Sequence, residues 1–362
     1  RDLVSSASKT DLFKAFSHLG TAGMTALMHE MGMHPVKNFQ EGQMPDFTGL
    51  ESDKLEELLV KSEGCFGCFI QCGSILQVKK GLYKGNPVCG PEYETMWAFG
   101  ANLYSTDLGF VIAVNKLCDD YGLDTITAGS SIAFAMELFE KGILTTGDLD
   151  GSELTWGNQQ EAYKLLMKIV KREGIGDILA LGTRKAAETI GKNAEHCAMH
   201  VKGLEIPAYE PRGAKAHGLN LATSTIGASH MTGYCGQELF GIPEQVDRFS
   251  TEGKGALTKY NQDNAAAYDS LLICGFPACF NWMIPHHYAE FLSAATGIEE
   301  FADKDYMLKS GERIFNIEKA FNLREGCERE DDYLPQRFID EPLPDGPCKG
   351  QVFEMDPLLD DY

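Results

Sequence analysis

The sequence predicts a mostly α-helical fold arranged as two helical domains, with at most a small hairpin. Three observations lead there. Apolar residues recur at helical spacing through most of the chain, strand-like stretches are nearly absent, and a stretch rich in glycine and proline over 203–225 interrupts the helices. With 362 residues, 43% of them hydrophobic, the chain can bury a substantial core, and its length suits two domains. We place these at 1–200 and 201–362. No low-complexity segment appears, nor any repeat with a period of about 20–50 residues.

The elements follow in order. Residues 12–16 begin the helical pattern, and Gly20-Thr21-Ala22-Gly23 precedes a periodic run through Met24, Leu27, Met28 and Met31 that Gly32 stops. The stretch 33–47 reads as loop, and 54–61 as a short amphipathic helix leading to a group of cysteines. Residues 75–78 and Leu82-Tyr83 predict the hairpin, turning at Lys79-Lys80-Gly81. Helices are expected over 94–103, 110–121, 130–141, 159–173 and 178–190, the last capped by Asp177. After the loop at 203–225, helices are expected over 244–260, 261–273, 288–296 and 304–323. The end, from Pro342, reads as a tail of turns.

Lys and Arg number 32 against 53 Asp and Glu, for a formal charge of −21. That balance argues against nucleic acid or an anionic membrane surface as partner. No apolar run reaches about eighteen residues, so no membrane insertion is expected, and the first residues lack signal-peptide character. Arg1 is not a natural start, which suggests a processed chain or a fragment. The 11 cysteines are odd in number and mostly isolated, unlike a disulfide framework. A reducing cytoplasm is the expected location.

Cys65, Cys68 and Cys72 stand apart from the other cysteines. A CxxCxxxC loop can present three thiolates to three irons of a cubic cluster, and Gly73 frees the chain to leave. A [4Fe–4S] cluster takes four ligands, so one remote cysteine is required. Zinc competes, since structural zinc sites pair two short Cys/His hooks. No second CxxC occurs, and only His196-Cys197-Ala198-Met199-His200 resembles a hook. Three cysteines buried as plain core are the remaining reading. Cys89 reads as buried filler, Cys118, Cys197, Cys235, Cys279, Cys327 and Cys348 as small hydrophobes, and His286-His287 as surface or core.

Two segments echo one another: Asp119-Asp120-Tyr121-Gly122-Leu123-Asp124 and Asp269-Ser270-Leu271-Leu272-Ile273-Cys274. Each starts with Asp at an expected helix end. A carboxylate there can accept two hydrogen bonds from a flat, amine-bearing ring such as a pterin. Taken singly, each is equally an ordinary helix terminus. Their likeness, and the availability of Cys274 as a remote thiol, favour a ligand.

Over nearly its whole length the chain resembles the tungsten-containing aldehyde:ferredoxin oxidoreductase family. The matching stretches are Gly20-Thr21-Ala22-Gly23, Asn38-Phe39, the cysteine loop, Gly90-Pro91-Glu92-Tyr93-Glu94-Thr95 and Gly122-Leu123-Asp124-Thr125-Ile126. Lys202-Gly203-Leu204-Glu205, Ala222-Thr223-Ser224 and Asn322-Leu323-Arg324-Glu325-Gly326 with Asp331-Asp332 follow in order. The resemblance implies a tungsten bis-pterin of the molybdopterin type, with magnesium as a further ion, contacted by Asp119, Leu123, Asp124, Gly227, Asp269 and Ile273. It also implies a [4Fe–4S] cluster on Cys65, Cys68, Cys72 and Cys274. Family members begin with a β-rich domain that nothing here resembles, and they continue past Asp360-Asp361-Tyr362. The chain is therefore expected to be the two helical domains of a longer enzyme.

In that family, aldehydes are oxidised to carboxylic acids and electrons pass to ferredoxin or an iron–sulfur subunit, in a homo- or hetero-oligomer. Glu94 is expected as base and His230 as hydrogen-bond donor to the carbonyl oxygen. The bland readings are a first-turn helix acid for Glu94 and a core histidine for His230. Ile226 and Thr232 depart from the family, where many relatives carry cations. Two alternatives follow: the tungsten subunit of a low-potential aromatic acyl-CoA (benzoyl-CoA type) reductase, and a catalytically silent iron–sulfur subunit.

Overall fold

Helices carry almost all regular structure in the computed structural model, which describes residues 2–362. The mostly α class is what the chain adopts. Among the described residues five strands, the longest of five residues, form two small sheets. The chain divides into two compact units. One comprises Ser8–Glu210 and Pro342–Gly350; the other comprises Pro211–Glu341 and Gln351–Tyr362 with the helix Asp2–Ala7. Sequence reasoning puts one boundary between residues 200 and 201, whereas packing divides the chain at Glu210–Pro211 and returns it once to the first unit.

Helices of the first unit start where a side chain can take up free backbone N–H groups. Thr10 accepts from Phe13 N at 3.2 Å before Asp11–Leu19. Asp107 accepts from Phe110 N at 3.1 Å before Leu108–Tyr121. Asp124 accepts from Thr127 N at 2.7 Å before Thr125–Glu140. Trp97, Phe99, Phe110 and Phe134 are fully buried in the core these helices build, each worth about 1.5–3 kcal/mol by removal from water. The loop over 33–47 is held by buried polar partners. Trp97 donates to the Pro35 carbonyl at 2.8 Å, and Asn38 Nδ2 donates to Glu137 Oε2 at 2.6 Å and to the Cys197 carbonyl at 2.8 Å.

The sheet corrects the expected hairpin. Strands β1 (Leu59–Glu63), β2 (Gly73–Leu76) and β3 (Val88–Cys89) pair antiparallel in the order β1-β2-β3. Glu63 faces Gly73 and Ile75 faces Cys89. A strand does form near 75–78, but its partners are β1 and β3, not Leu82-Tyr83. The helix expected over 54–61 ends at Leu58, and the residues after it become β1. A second hairpin joins β4 (His200–Val201) to β5 (Leu204–Glu205). Its turn residues Lys202 and Gly203 have φ of 54° and 88°, the paired positive values that a tight hairpin turn favours.

Other expectations are revised. The helix over 178–190 is two, Ile175–Leu179 and Thr183–Ile190, parted at Gly182. Asp177 lies inside the first of these and pairs with Arg172 at 2.5 Å instead of capping. In the second unit, 203–225 holds a helix, Lys215–Thr223, with every residue buried. A helix enclosed on all sides has no polar face, so its sequence shows no amphipathic period. Its first amides, Ala216 N and His217 N, donate to the Glu238 carboxylate at 3.1 and 3.0 Å. Lys254 Nζ balances that buried charge at 2.5 Å. One helix, Lys254–Ser270, replaces the two expected over 244–273, and it packs against Lys304–Arg324. Tyr268, Tyr288 and Met307 form a small core beside it. The expected tail of turns includes the helix Met355–Asp361.

Candidate functional site

Cys65, Cys68 and Cys72 occupy the connection between β1 and β2, so pairing of Glu63 with Gly73 closes the loop that carries them. Within it, Cys68 N donates to the Cys65 carbonyl at 3.0 Å, and Ile70 N donates to Cys68 Sγ at 3.4 Å. Hydrogen bonds of that kind to a thiolate sulfur tune the potential of a bound cluster. A Cβ placed on Gly20 would lie 2.0 Å from the Cys72 carbonyl oxygen, and Gly20 has φ of 65°, so only glycine permits this approach. Cys65 is exposed, Cys68 and Cys72 are partly buried, and none is in a disulfide. Among the described residues no group of three or more His, Cys, Asp or Glu is gathered to hold a metal ion. An iron–sulfur cube takes each thiolate on a different iron, whereas structural zinc takes them all on one ion. Cysteines outside any disulfide, one of them accepting an N–H bond, suit an iron–sulfur cluster chemically.

The two Asp-led segments share one backbone design. In the first, Leu123 N donates to the Cys118 carbonyl at 2.9 Å, and Gly122 N to the Asp119 carbonyl at 3.4 Å. In the second, Ile273 N donates to the Tyr268 carbonyl at 3.1 Å, and Leu272 N to the Asp269 carbonyl at 2.9 Å. Gly122 has φ of 68° and Leu272 has φ of 57°, the left-handed residue of a Schellman-type helix end. Each segment then caps a new helix, with Asp124 before Thr125–Glu140 and Cys274 before Gly275–Cys279. Both leading carboxylates, Asp119 and Asp269, are exposed at helix ends. Partial desolvation raises both, with Asp120 adding to the first and Glu318 to the second. Two solvent-facing acceptors on matching helix ends fit a pair of amine-bearing rings. Cys274 is exposed as well.

Glu94 lies in the first turn of Tyr93–Ala98 and accepts from Ala208 N at 2.8 Å. Burial pushes its carboxyl up to about 8; the hydrogen bond from Ala208 opposes the rise and the nearby Asp124 carboxylate adds to it. Thr95 and Thr125 join hydroxyls at 2.8 Å, linking this helix to the one that Asp124 caps. Tyr93 grips the same strand of chain, donating to the Ala208 carbonyl at 2.6 Å. A carboxyl titrating near neutrality and tied to the first Asp-led segment can exchange protons with a bound reactant.

In the second unit Gly227, buried at φ of 101°, lies in the turn that leads to His230. That turn hangs from the enclosed helix. Asn220 Nδ2 donates to the Ser229 carbonyl at 3.0 Å, and Gln262 Nε2 donates to Asn220 Oδ1 at 3.2 Å and Thr223 Oγ1 at 2.9 Å. Desolvation lowers His230 to about 4 and, with His230 beside it, His217 to about 3. Tyr234 stands edge-on to both rings. The neighbouring Met231 packs against Gly275, where an added Cβ would lie 2.7 Å from Met231 Cε. The His230 turn and the Cys274 helix are thus brought together.

Three features escaped sequence reasoning. Asn220 and Gln262 are buried amides whose role appears only once the helices pack. Cys89 is exposed and not buried filler, because β3 is an edge strand. Its carbonyl accepts from Asn115 Nδ2 at 3.2 Å, and the same amide reaches Asp119 Oδ2 at 3.4 Å. Finally, residues 64–91, 211–237 and 270–289 carry no Asp or Glu in a chain that has 53. These stretches hold the cysteine loop, the His230 turn and Cys274, a local lack of acids that was readable in the sequence.

Residues 2–362 match the family model described as aldehyde ferredoxin oxidoreductase, domains 2 and 3. The chain is 40% identical over 348 residues to the tungsten-containing aldehyde ferredoxin oxidoreductase of Pyrococcus furiosus, covering 95% of this chain and 56% of that protein. The enzyme of the same name from Thermococcus kodakarensis is 38% identical over 349 residues, with the same coverage. An aliphatic sulfonate oxidoreductase, WOR-like subunit, of Pyrococcus furiosus is 32% identical, covering 93% of this chain and 52% of that protein. The chain thus spans just over half the length of these curated relatives. Among solved structures, the active-site complex BamBC of benzoyl coenzyme A reductase with 1,5-dienoyl-CoA shares the fold. Its TM-score is 0.75 at 23% identity, over 100% of this chain and 60% of that one. The chain belongs to the aldehyde ferredoxin oxidoreductase family, as its domains 2 and 3.

Proposed function

We propose that this chain is the helical, cofactor-holding part of a tungsten-bispterin, [4Fe–4S] oxidoreductase that converts aldehydes to carboxylic acids and delivers electrons to ferredoxin. The observation that carries the reading is the duplicated helix end, which presents Asp119 and Asp269 alike and continues into Asp124 in one copy and Cys274 in the other. Asp119, Leu123 and Asp124, with Asp269, Ile273 and Gly227, would hold the two pterins. Cys65, Cys68, Cys72 and Cys274 would hold the cluster. When bound, these groups supply a two-electron acceptor and a one-electron outlet. Glu94, once ionised as pH nears 8, takes up the proton released as water adds to the aldehyde carbon. His230, neutral at pH 7, donates a hydrogen bond to the carbonyl oxygen. Cys274 lies five residues after Asp269, so the pterin contact and the cluster ligand share one short piece of chain.

A second reading reverses the electron flow, with reduction of an aromatic thioester at low potential. The exposed thiol of Cys89 and the exposed Ile226, at 64% of its full surface, favour it. Metal analysis of the intact, full-length protein tests the choice. Tungsten with about four irons per chain supports an enzyme, and iron alone supports a silent iron–sulfur subunit. Aldehyde-dependent dye reduction then separates the two enzymes. Cys274→Ala should abolish cluster absorbance as Cys68→Ala does; retained absorbance overturns the fourth-ligand assignment.

A further inference from the structure

We propose that His34 is a positioning residue for Glu94, acting through the Tyr93 hydroxyl and the turn at Ala208 whose N–H holds the carboxyl. The inference rests on the reading of Glu94 as the proton-exchanging group; its geometry lies wholly within the first unit. Pro207, Ala208 and Tyr209 form a three-residue turn, closed by Tyr209 N donating to the Pro207 carbonyl at 2.7 Å. Two successive residues of one helix hold Ala208 at both its N–H and its carbonyl. Glu94 Oε2 accepts from Ala208 N at 2.8 Å, and Tyr93 Oη donates to the Ala208 carbonyl at 2.6 Å. The Tyr209 ring packs against that of Tyr93, with centroids 5.5 Å apart. Whatever fixes the Tyr93 hydroxyl therefore fixes the donor to Glu94.

His34 meets that hydroxyl. The side chain is fully buried, its ring centroid lies 5.4 Å from that of Tyr93, and Nδ1 is 3.3 Å from Tyr93 Oη. A carbonyl can only accept, so the single phenolic hydrogen goes to Ala208, and His34 Nδ1 supplies the hydrogen at its own contact. The ring is thus the neutral tautomer with its hydrogen on Nδ1. Its Nε2 is buried with no hydrogen-bond partner among the described residues. Phenylalanine would fill this space without an unpaired nitrogen, so packing alone does not favour histidine; what histidine adds is the bond to Tyr93. The next residue is clamped to the same helix one turn on, where Trp97 Nε1 donates to the Pro35 carbonyl at 2.8 Å. Burial, with His29 adding, holds His34 well below the usual histidine range, so it acts on Glu94 through hydrogen bonds and not through charge. The other titratable groups here are His29, stacked on Phe47, Glu92, which accepts from the Thr21 hydroxyl, and Asp124, whose charge raises Glu94.

The test follows the C=O stretch of the protonated Glu94 carboxyl in the full-length protein, by infrared titration from pH 6 to pH 10. The band is assigned as the one that Glu94→Gln removes, which separates it from Glu92. Releasing Tyr93 weakens the bond from Ala208, which opposes the raised value of Glu94, so the midpoint should move up. His34→Phe and Tyr93→Phe should each raise it by roughly 0.5–1 pH unit. His34→Asn, which keeps an N–H in place of Nδ1–H, should titrate with wild type. An unmoved midpoint in His34→Phe or Tyr93→Phe overturns the proposal, as does an equal shift in His34→Asn and His34→Phe. His34→Leu makes the same comparison should His34→Phe fail to fold. A spectrum that Glu94→Gln leaves unchanged overturns it too, and removes Glu94 as the buried acid. Aldehyde-dependent dye reduction is read in parallel. Its absence in wild type, with the midpoint shifts present, sinks the aldehyde reading and leaves the positioning role standing.

Discussion

Replacing Glu94 by glutamine keeps the shape of the side chain and an acceptor for Ala208 N, and removes only the ionisation. Burial raises the carboxyl from 4.5 to about 8. At ~1.4 kcal/mol per pH unit, ionising it inside the fold costs ~5 kcal/mol more than in water, and ~3 kcal/mol after allowing for its partial contact with solvent. The folded protein holds this proton up to about pH 8, while the unfolded chain releases it near 4.5. The contribution is therefore fully present below pH 4.5 and lost as pH rises to 8. Glu94→Gln should melt with wild type near pH 4.5 and above it at pH 9. With ~2–4 °C per kcal/mol for a domain of this size, the gain at pH 9 is roughly 6–12 °C. Thermal melts followed by circular dichroism from pH 5 to pH 9 measure it. A gap between the two proteins that does not widen with pH would refute the buried-acid argument, and with it the case for Glu94 as a proton-exchanging group.

Three further outcomes are expected. Gly20→Ala forces a Cβ onto the Cys72 carbonyl and should cost ~2–4 kcal/mol and lower iron content, read by melting and by metal analysis; an unaffected protein would mean the cysteine loop yields freely. Leu272 is 95% exposed yet left-handed, so Leu272→Gly should stabilise by ~0.5–1 kcal/mol in urea melts. Destabilisation would show that the leucine has a contact to lose. Desolvation lowers His200 and His230 to about 4 and His217 to about 3. The unfolded chain binds those protons near 6.5, so their contribution is present above 6.5 and lost as pH falls toward 4. A drop of up to ~6 kcal/mol between pH 7 and pH 5, about 2 kcal/mol for each histidine and reduced in His217→Asn/His230→Asn, checks it.

What was legible in the residues was whatever repeats locally. Leu108–Tyr121 and Thr125–Glu140 announce themselves by apolar spacing and by the capping side chains Asp107 and Asp124. The likeness of the two Asp-led segments survives down to individual hydrogen bonds. Even the departure is informative, since Leu272 adopts the left-handed turn that Gly122 takes without strain. Illegible features depend on distant partners. Leu59–Glu63 continues a helical pattern and becomes a strand only because closure of the cysteine loop brings Gly73 alongside. Lys215–Thr223 carries no polar face, and its N-terminal amides are satisfied by Glu238, far along the chain. Asn115, Asn220 and Gln262 are ordinary amides until packing decides which carbonyls and carboxylates they meet.

The return of Pro342–Gly350 to the first unit has a consequence for synthesis. Asp345 accepts from Gly42 N and Gln43 N at 2.8 and 3.0 Å, and Cys348 Sγ lies 3.5 Å from the Gly32 carbonyl. Gly42 and Gln43 thus leave two backbone amides waiting for a carboxylate about 300 residues further along the chain. The thiol-bearing unit is therefore complete only once residues 342–350 have been made, and loading of iron before then would act on an unfinished scaffold.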